Sequence, residues 1–199
     1  MHWKRIAACI ALSAVAIAQS PKARENYDKA LKEVERHNLV KAEKLLHQTV
    51  SDAPEWALAY SQLGYVYFLE AKQDETFAAY EHARVLDAKT HELTPEQRRQ
   101  VNDNLGVAYG MSHQYDKSIA VLEAAIKDDP KYGEYEYNLA CDYSEQGDLD
   151  KALAHLNRAW ELRNSFKFPD ATKDDSFRRW KDDPRFQEAA GKTKSMDKW

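Results

Sequence analysis

A five-residue pattern occurs three times in this chain at similar spacing. It reads Leu-Gly-Tyr-Val-Tyr at 63–67, Leu-Gly-Val-Ala-Tyr at 105–109 and Leu-Ala-Cys-Asp-Tyr at 139–143. The first two copies are 42 residues apart, and the last two are 34 residues apart. A very small residue at the same place in each copy predicts a helix that a second helix approaches closely. A period near 34 is typical of stacked helical hairpins.

Further residues recur at constant offsets after each copy. Each set contains a small or short side chain, then a tyrosine or leucine, then an alanine. The sets are Thr76, Tyr80 and Ala83; Ser118, Leu122 and Ala125; and Ala152, Leu156 and Ala159. A weaker copy begins 34 residues before the first, with Ala30, Ala42 and Leu46 at matching positions. Lys29 replaces its large apolar residue, so this first unit is degenerate.

These recurring residues resemble the tetratricopeptide repeat family, whose units combine a Leu-Gly pair, a tyrosine, two alanines that flank a phenylalanine or leucine, and a closing proline. The resemblance places repeats at 23–56, 57–90, 99–132 and 133–166 in an array that spans 19–166. It implies an all-α fold, a right-handed α-α superhelix of about four helical hairpins with capping helices at the C-terminus. It also implies a scaffold or adaptor that binds another protein or a peptide.

The longer, 42-residue step has a visible cause. Residues 89–93 are additional to the repeat, and Thr94-Pro95-Glu96-Gln97 follows them. Thr94 suits a helix cap, proline tolerates the first helical position, and Gln97 is placed to complete a capping box. The first helix of the third unit is therefore expected to start early and to be about one turn longer than the others.

After Leu162 the repeat pattern stops and aromatic residues become frequent. A stack of hairpins leaves one apolar face open at its end, and a terminal segment must cover it. We expect residues 167–190 to form this cap as one or two short helices, one of them starting at Asp183-Pro184, and residues 191–199 to be loose. The segment resembles the tail that closes some bacterial tetratricopeptide arrays.

Residues 1–18 have the form of a secretory signal peptide. A short basic start precedes the apolar run from 6 to 18, and Ala16-Ile17-Ala18 fits a small-x-small cleavage site. The run is too short to span a bilayer. A secreted or periplasmic product is therefore predicted, with an uncleaved anchor or a buried helix as the open alternatives. Cys9 precedes most of the apolar run, which argues against a lipidated cysteine.

Charge and motif content exclude several classes of function. Without residues 1–18 the chain carries 27 basic and 33 acidic residues, a net charge of −6. This balance argues against binding to nucleic acid or to an anionic membrane. The sequence has no metal-binding histidine spacing, no nucleophile motif and no glycine-rich phosphate loop. We therefore predict no enzyme activity, no cofactor and no metal.

The resemblance implies that the first helix of each unit lines a concave groove. The inward positions in the groove are Tyr27, Leu31, Val34, Ser61, Tyr65, Phe68, Asp103, Val107, Met111 and Tyr137. The centre of this set is apolar and aromatic, which suits peptide contacts. Some of these residues could instead belong to the core between repeats. A clamp for a C-terminal carboxylate is not predicted, because Leu31, Tyr65 and Val107 occupy the positions where such a clamp has asparagine.

Two other functions stay open at this stage. Arrays with an apolar end can stack, so the chain could chiefly build a homo-oligomer. An enzyme with a site between the array and the C-terminal segment is the third alternative, although no set of convergent polar residues near Trp180 supports it.

Overall fold

A computed structural model describes residues 20–165 and 169–193. The predicted signal peptide at 1–18 lies outside these ranges. Within them the chain forms helices and no β-strand, and none of the helices is long and apolar enough to cross a bilayer. The helices are α1 (Pro21–Glu35), α2 (Leu39–Asp52), α3 (Ala57–Leu69), α4 (Gln73–Thr90), α5 (Pro95–Met111), α6 (Tyr115–Asp128), α7 (Gly133–Gln146), α8 (Leu149–Glu161) and α9 (Pro184–Gly191).

The first eight helices form four hairpins that stack in chain order. The helices pair as α1 with α2, α3 with α4, α5 with α6, and α7 with α8, and the second helix of each hairpin contacts the first helix of the next. First helices also contact each other, α3 with α5 and α5 with α7, so they form an inner layer. This arrangement confirms the predicted α-α superhelix.

Each hairpin turn contains one residue in the left-handed backbone conformation. These residues are His37, Ala71, His113 and Gly147, with φ between 57° and 88°. In each turn the next residue donates its backbone N–H to the carbonyl five positions earlier, as Lys72 does to Tyr67 at 2.9 Å. This bond is the mark of a Schellman motif, in which glycine is the preferred left-handed residue. Only the fourth turn uses glycine.

Replacing Ala71 with glycine should therefore raise the free energy of unfolding by about 0.5–1 kcal/mol. The left-handed conformation strains alanine but not glycine, and the added freedom of the unfolded chain offsets part of the gain. Ala78→Gly, at an exposed position within α4, is the matched control and should lower it by about 1 kcal/mol. Urea denaturation measures both changes. Equal losses in the two variants would contradict this account of the turn.

The small residues of the repeated pattern lie at the tightest contacts inside the hairpins. A Cβ atom added to Gly64 would lie 3.0 Å from Cγ of Tyr80, and one added to Gly106 would lie 2.9 Å from Cδ2 of Leu122. The Ser118 hydroxyl donates a hydrogen bond to the Gly106 carbonyl at 2.9 Å. A larger residue at either glycine would separate the two helices of its hairpin.

The extra length of the second step is divided between two helices. The capping box of Thr94 and Gln97 is present, and α5 has 17 residues against 13 in α3 and 14 in α7. The sequence assigned the added length to the extra residues 89–93 and to an early start of α5, but α4 is also long, with 18 residues, and includes Lys89 and Thr90. The buried Asp87 carboxylate explains this extension, because it accepts hydrogen bonds from Leu93 N–H at 2.8 Å and from Arg98 Nε at 2.5 Å. The last turn of α4 is thereby tied to the start of α5.

The segment after the array forms a cap with more elements than the sequence predicted. Two 3₁₀ helices, Ala171–Lys173 and Asp175–Trp180, precede α9, which begins after Asp183 as expected. Phe177 and Phe186 are buried against the last hairpin, with their rings stacked 5.2 Å apart. The packed chain continues to Thr193, which is buried and hydrogen-bonded to Ala171 and Ala190, where a loose tail was expected. Residues 194–199 lie outside the described part of the chain.

Candidate functional site

Three of the ten predicted groove residues are open to solvent on the inner layer. Tyr65 is 37% exposed, Val107 38% and Met111 67%. Leu69, at the end of α3, is 42% exposed and extends the same apolar surface. Leu31, Val34 and Phe68 are half-buried and pack against the core. We call the four exposed side chains the inner apolar surface.

The other four predicted groove residues are buried and belong to the packing between units. They are Tyr27, Ser61, Asp103 and Tyr137. Tyr27 packs against Trp56 with ring centroids 4.7 Å apart. Tyr137 is covered by the cap, where its hydroxyl donates to Asp174 at 2.8 Å. Neighbouring helices and the cap cover most of the surface of these four residues, so they are less accessible than the groove prediction requires, although Asp103 and Tyr137 still line recesses beside the inner layer.

A pocket of about 300 Å³ opens at the C-terminal end of the inner apolar surface. Its wall on the α5 side includes Val107, Gly110 and Met111. The remaining wall comes from α7, the turn before α6 and the cap. The acidic members of this wall are Asp142, Glu145 and Asp174. We call it the end pocket.

Comparison of the four units shows why the end pocket exists. Gly110 of α5 occupies the position that Phe68 has in α3, so no side chain fills this space in the third unit. Asp142 of α7 occupies the position of Val66 and Ala108, which are both buried apolar residues. The last unit therefore has a carboxyl group where the two units before it have core side chains.

Asp142 has an unusual environment for a carboxyl group. It is 5% exposed, and its Oδ2 has no hydrogen-bond partner among the described residues. Burial raises the pKa of Asp142 to about 7, while the neighbouring Ser118 hydroxyl lowers it and the Glu145 carboxylate raises it. A Cβ atom at Gly110 would lie 2.9 Å from the Oδ1 of Asp142, so only glycine leaves this oxygen uncovered.

A second acidic recess lies between α5 and α7, closer to the start of these helices. It has a volume of about 270 Å³, and its wall includes Glu96, Asp103, Tyr132 and Glu134. Burial, followed by the nearby Glu134, raises the pKa of Asp103 to about 8. The Asn138 side-chain amide donates to Asp103 Oδ1 at 3.3 Å. Carboxyl groups therefore border the inner layer at two places.

Cys141 does not have the surroundings of a reactive thiol. Burial and then the adjacent Asp174 raise its pKa well above the usual value, so the thiolate form is suppressed at neutral pH. Its Sγ lies 3.9 Å from Asp174 Oδ2. No group of three or more histidine, cysteine, aspartate or glutamate side chains in the described part of the chain is arranged to hold a metal ion.

Comparison with solved structures identifies the fold. MamA, residues 41 to the end, from Desulfovibrio magneticus RS-1 superposes with a TM-score of 0.67 at 16% identity, covering 90% of this chain and 99% of that one. The APC/C hetero-tetramer Cut9–Hcn1 superposes with a TM-score of 0.65 at 18% identity, covering 79% of this chain and 30% of that one. A structure of MamA MSR-1 superposes with a TM-score of 0.59 at 22% identity, covering 71% of this chain and 77% of that one. The chain has the tetratricopeptide-repeat fold. No protein-family model and no curated protein matches it.

Sequence reasoning on the tetratricopeptide pattern placed Asp103 on the inner layer but missed Asp142 and Asp174. Asp142 lies inside the repeated pattern itself, and its chemistry could have been noticed by aligning it with Val66 and Ala108. Asp174 had no such signal, because nothing local shows that the cap returns to α7. The contact between Tyr137 and Asp174 is a property of the folded tetratricopeptide array alone.

Proposed function

We propose that this tetratricopeptide array is a protein-interaction module that holds a segment of another protein on its inner layer, outside the cytoplasm. One observation carries the proposal. Six large apolar side chains are exposed in the described part of the chain, and four of them form the inner apolar surface. Contiguous exposed apolar side chains in a soluble domain mark interaction sites. The location outside the cytoplasm rests on the signal-peptide pattern of residues 1–18.

The side chains of the inner apolar surface suit a polypeptide partner. Tyrosine and methionine offer a large contact area that adapts to different partner side chains. The surface follows the end of α3 and of α5, so it can hold an extended or helical segment laid across the two helices. The structural neighbour Cut9–Hcn1 is a hetero-tetramer, which supports the use of this fold to hold partner chains.

The combined change of Tyr65 and Met111 to alanine should weaken partner capture at least tenfold. The two side chains supply much of the exposed apolar area. Burial of either one in a contact contributes well over about 1 kcal/mol to the free energy of binding. Capture from the extracytoplasmic fraction, compared between wild type and variant at equal protein concentration, measures the effect. The thermal transition should stay cooperative, because both side chains are partly or mostly exposed.

The chain offers a matched control for this experiment. Val40 and Val85 are the other two exposed large apolar residues, and they lie on second helices, α2 and α4. The Val40→Ala and Val85→Ala double variant should capture partners as wild type does. Equal capture by all three proteins would remove the inner apolar surface from consideration. Light scattering that shows association of the wild type, abolished by the Tyr65 and Met111 changes, would identify a second copy of the chain as the occupant.

A further inference from the structure

The end pocket combines an apolar approach with an acidic interior. Val107 and Met111 belong both to the inner apolar surface and to the pocket wall, so the two features are continuous. Asp142, Glu145 and Asp174 also line the wall, and all three are less exposed than Val107 and Met111. A ligand that enters from the inner apolar surface therefore meets aliphatic side chains first and carboxyl groups afterwards.

The Asp142 carboxyl group lacks the partners that a buried polar group normally has. Its Oδ2 makes no hydrogen bond with any described residue, although the residue is 95% buried. A buried polar group without a partner is costly, and a buried charge without a partner costs more. The Ser118 hydroxyl, whose proximity lowers the pKa of Asp142, donates in this structure to the Gly106 carbonyl at 2.9 Å. A donor supplied from outside would remove this penalty.

The groups that face Asp142 do not already neutralise it. Two of these groups are themselves carboxylates, Glu145 from α7 and Asp174 from the cap. Asp174 accepts hydrogen bonds from the Tyr137 hydroxyl and from the Ser176 backbone N–H. The turn before α6 and its first residue contribute a His113–Tyr115 pair, joined at 2.6 Å. The side facing α5 is the bare backbone of Gly110. Arg179, a cation of the cap, does not line the end pocket: its guanidinium lies beside Gly147 and over the Trp180 ring at 5.8 Å.

We propose that the end pocket binds a basic side chain, lysine or arginine, of the protein segment that lies on the inner apolar surface. The aliphatic stem would pack against Val107 and Met111, and the charged head would donate hydrogen bonds to Asp142, with Glu145 and Asp174 adding attraction. An anionic head is repelled by the same carboxylates, and an apolar one leaves Asp142 without a donor. This inference rests on the proposed function and names one chemical feature of its partner.

The binding should depend on pH in a defined direction. Burial raises the pKa of Asp142 to about 7, and a bound cation favours the ionised form. Binding near pH 7 should therefore release a proton, and affinity should rise between pH 6 and pH 8.

The test uses the ¹⁵N-labelled full chain and small probes observed by NMR. N-acetyl-lysine methylamide and N-acetyl-arginine methylamide should shift the backbone amides of Gly110, Asp142 and Glu145 in a saturable way. N-acetyl-citrulline methylamide, the neutral analogue of the arginine probe, should bind at least tenfold more weakly. If the citrulline probe binds as tightly as the arginine probe, the proposal is overturned. It is also overturned if putrescine binds more tightly than the lysine probe, because the pocket would then be suited to a free amine and not to a side chain of a protein.

Two variants that each remove one negative charge distinguish a specific contact with Asp142 from the general effect of net charge on probe binding. Asp142→Asn should lose at least tenfold of the affinity for both cationic probes, whereas Asp128→Asn, at an exposed position on α6, should lose none. Unchanged probe binding in Asp142→Asn would contradict the proposal. Tyr65 is not in the pocket wall, so Tyr65→Ala should bind the probes as wild type does. Failure of this inference is thus distinguishable from failure of the inner apolar surface to capture a partner.

Discussion

The change of Phe177 to alanine is expected to lower the free energy of unfolding by about 3–5 kcal/mol. Phe177 is 1% exposed and joins the cap to the last hairpin. Its ring stacks on Phe186 at 5.2 Å and meets Tyr137 edge-on at 6.2 Å. The loss combines the apolar area returned to water with the cavity left between α7 and the cap, which neighbouring side chains fill only in part. Urea denaturation followed by circular dichroism measures it.

The same change should also alter how the protein associates. The cap covers the apolar end of the array, and uncovered ends of repeat arrays tend to stick together. Light scattering on Phe177→Ala should therefore show association that increases with concentration. Met111→Ala removes a large side chain that is 67% exposed and should change stability by no more than about 0.5 kcal/mol. A loss below about 1 kcal/mol in Phe177→Ala would mean that the cap does not depend on this contact.

The protein is expected to be more stable at pH 5 than at pH 8. Burial raises the pKa of Asp103 to about 8 and that of Asp142 to about 7, whereas both carboxyl groups ionise near pH 4 in the unfolded chain. Between these values the folded chain holds protons that the unfolded chain has released. Stability contributed by the two protonated groups is therefore lost as pH rises from about 4 to about 8. One pKa unit corresponds to about 1.4 kcal/mol, so the combined loss is several kcal/mol.

Other carboxyl groups act in a different pH range. Hydrogen bonds from Lys41 and from Thr172 lower the pKa values of Glu33 and Asp170 respectively. Groups with a lowered pKa stabilise the fold above their unfolded pKa and lose that contribution in stronger acid. They are fully ionised in both states above about pH 6, so they leave most of the predicted slope unchanged.

Urea denaturation at pH 5.0, 6.5 and 8.0 checks this expectation. Asp103→Asn and Asp142→Asn should each flatten part of the dependence, because asparagine does not titrate, and the double variant should flatten most of it. Asp128→Asn is the control and should keep the wild-type slope, since this side chain is exposed. Greater stability of the wild type at pH 8, or the same slope in all variants, would show that neither carboxyl group holds its proton in the folded state.

The secondary structure was largely readable from the sequence because its signals are local. The Thr94–Gln97 capping box starts α5, and Gly106 marks the close contact inside its hairpin. The extension of α4 was missed, because it depends on the buried pairing of Asp87 with Arg98, and nothing in the sequence shows that this aspartate is buried. The candidate site was predicted less well: Tyr65 and Met111 are exposed as the groove prediction requires, whereas Tyr137 is covered.

The repeated spacing of small and large apolar residues determined the helices, their pairing and the order of the hairpins, since each signal acts within one or two turns of helix. Which inward residues stay exposed was decided only by the tertiary structure. The cap returns to α7 from more than 30 residues away and covers Tyr137, while Gly110 of α5 places no side chain against Oδ1 of Asp142. Burial and the charges of neighbouring elements set the pKa of a carboxyl group, and neither is a property of the residue or its local sequence.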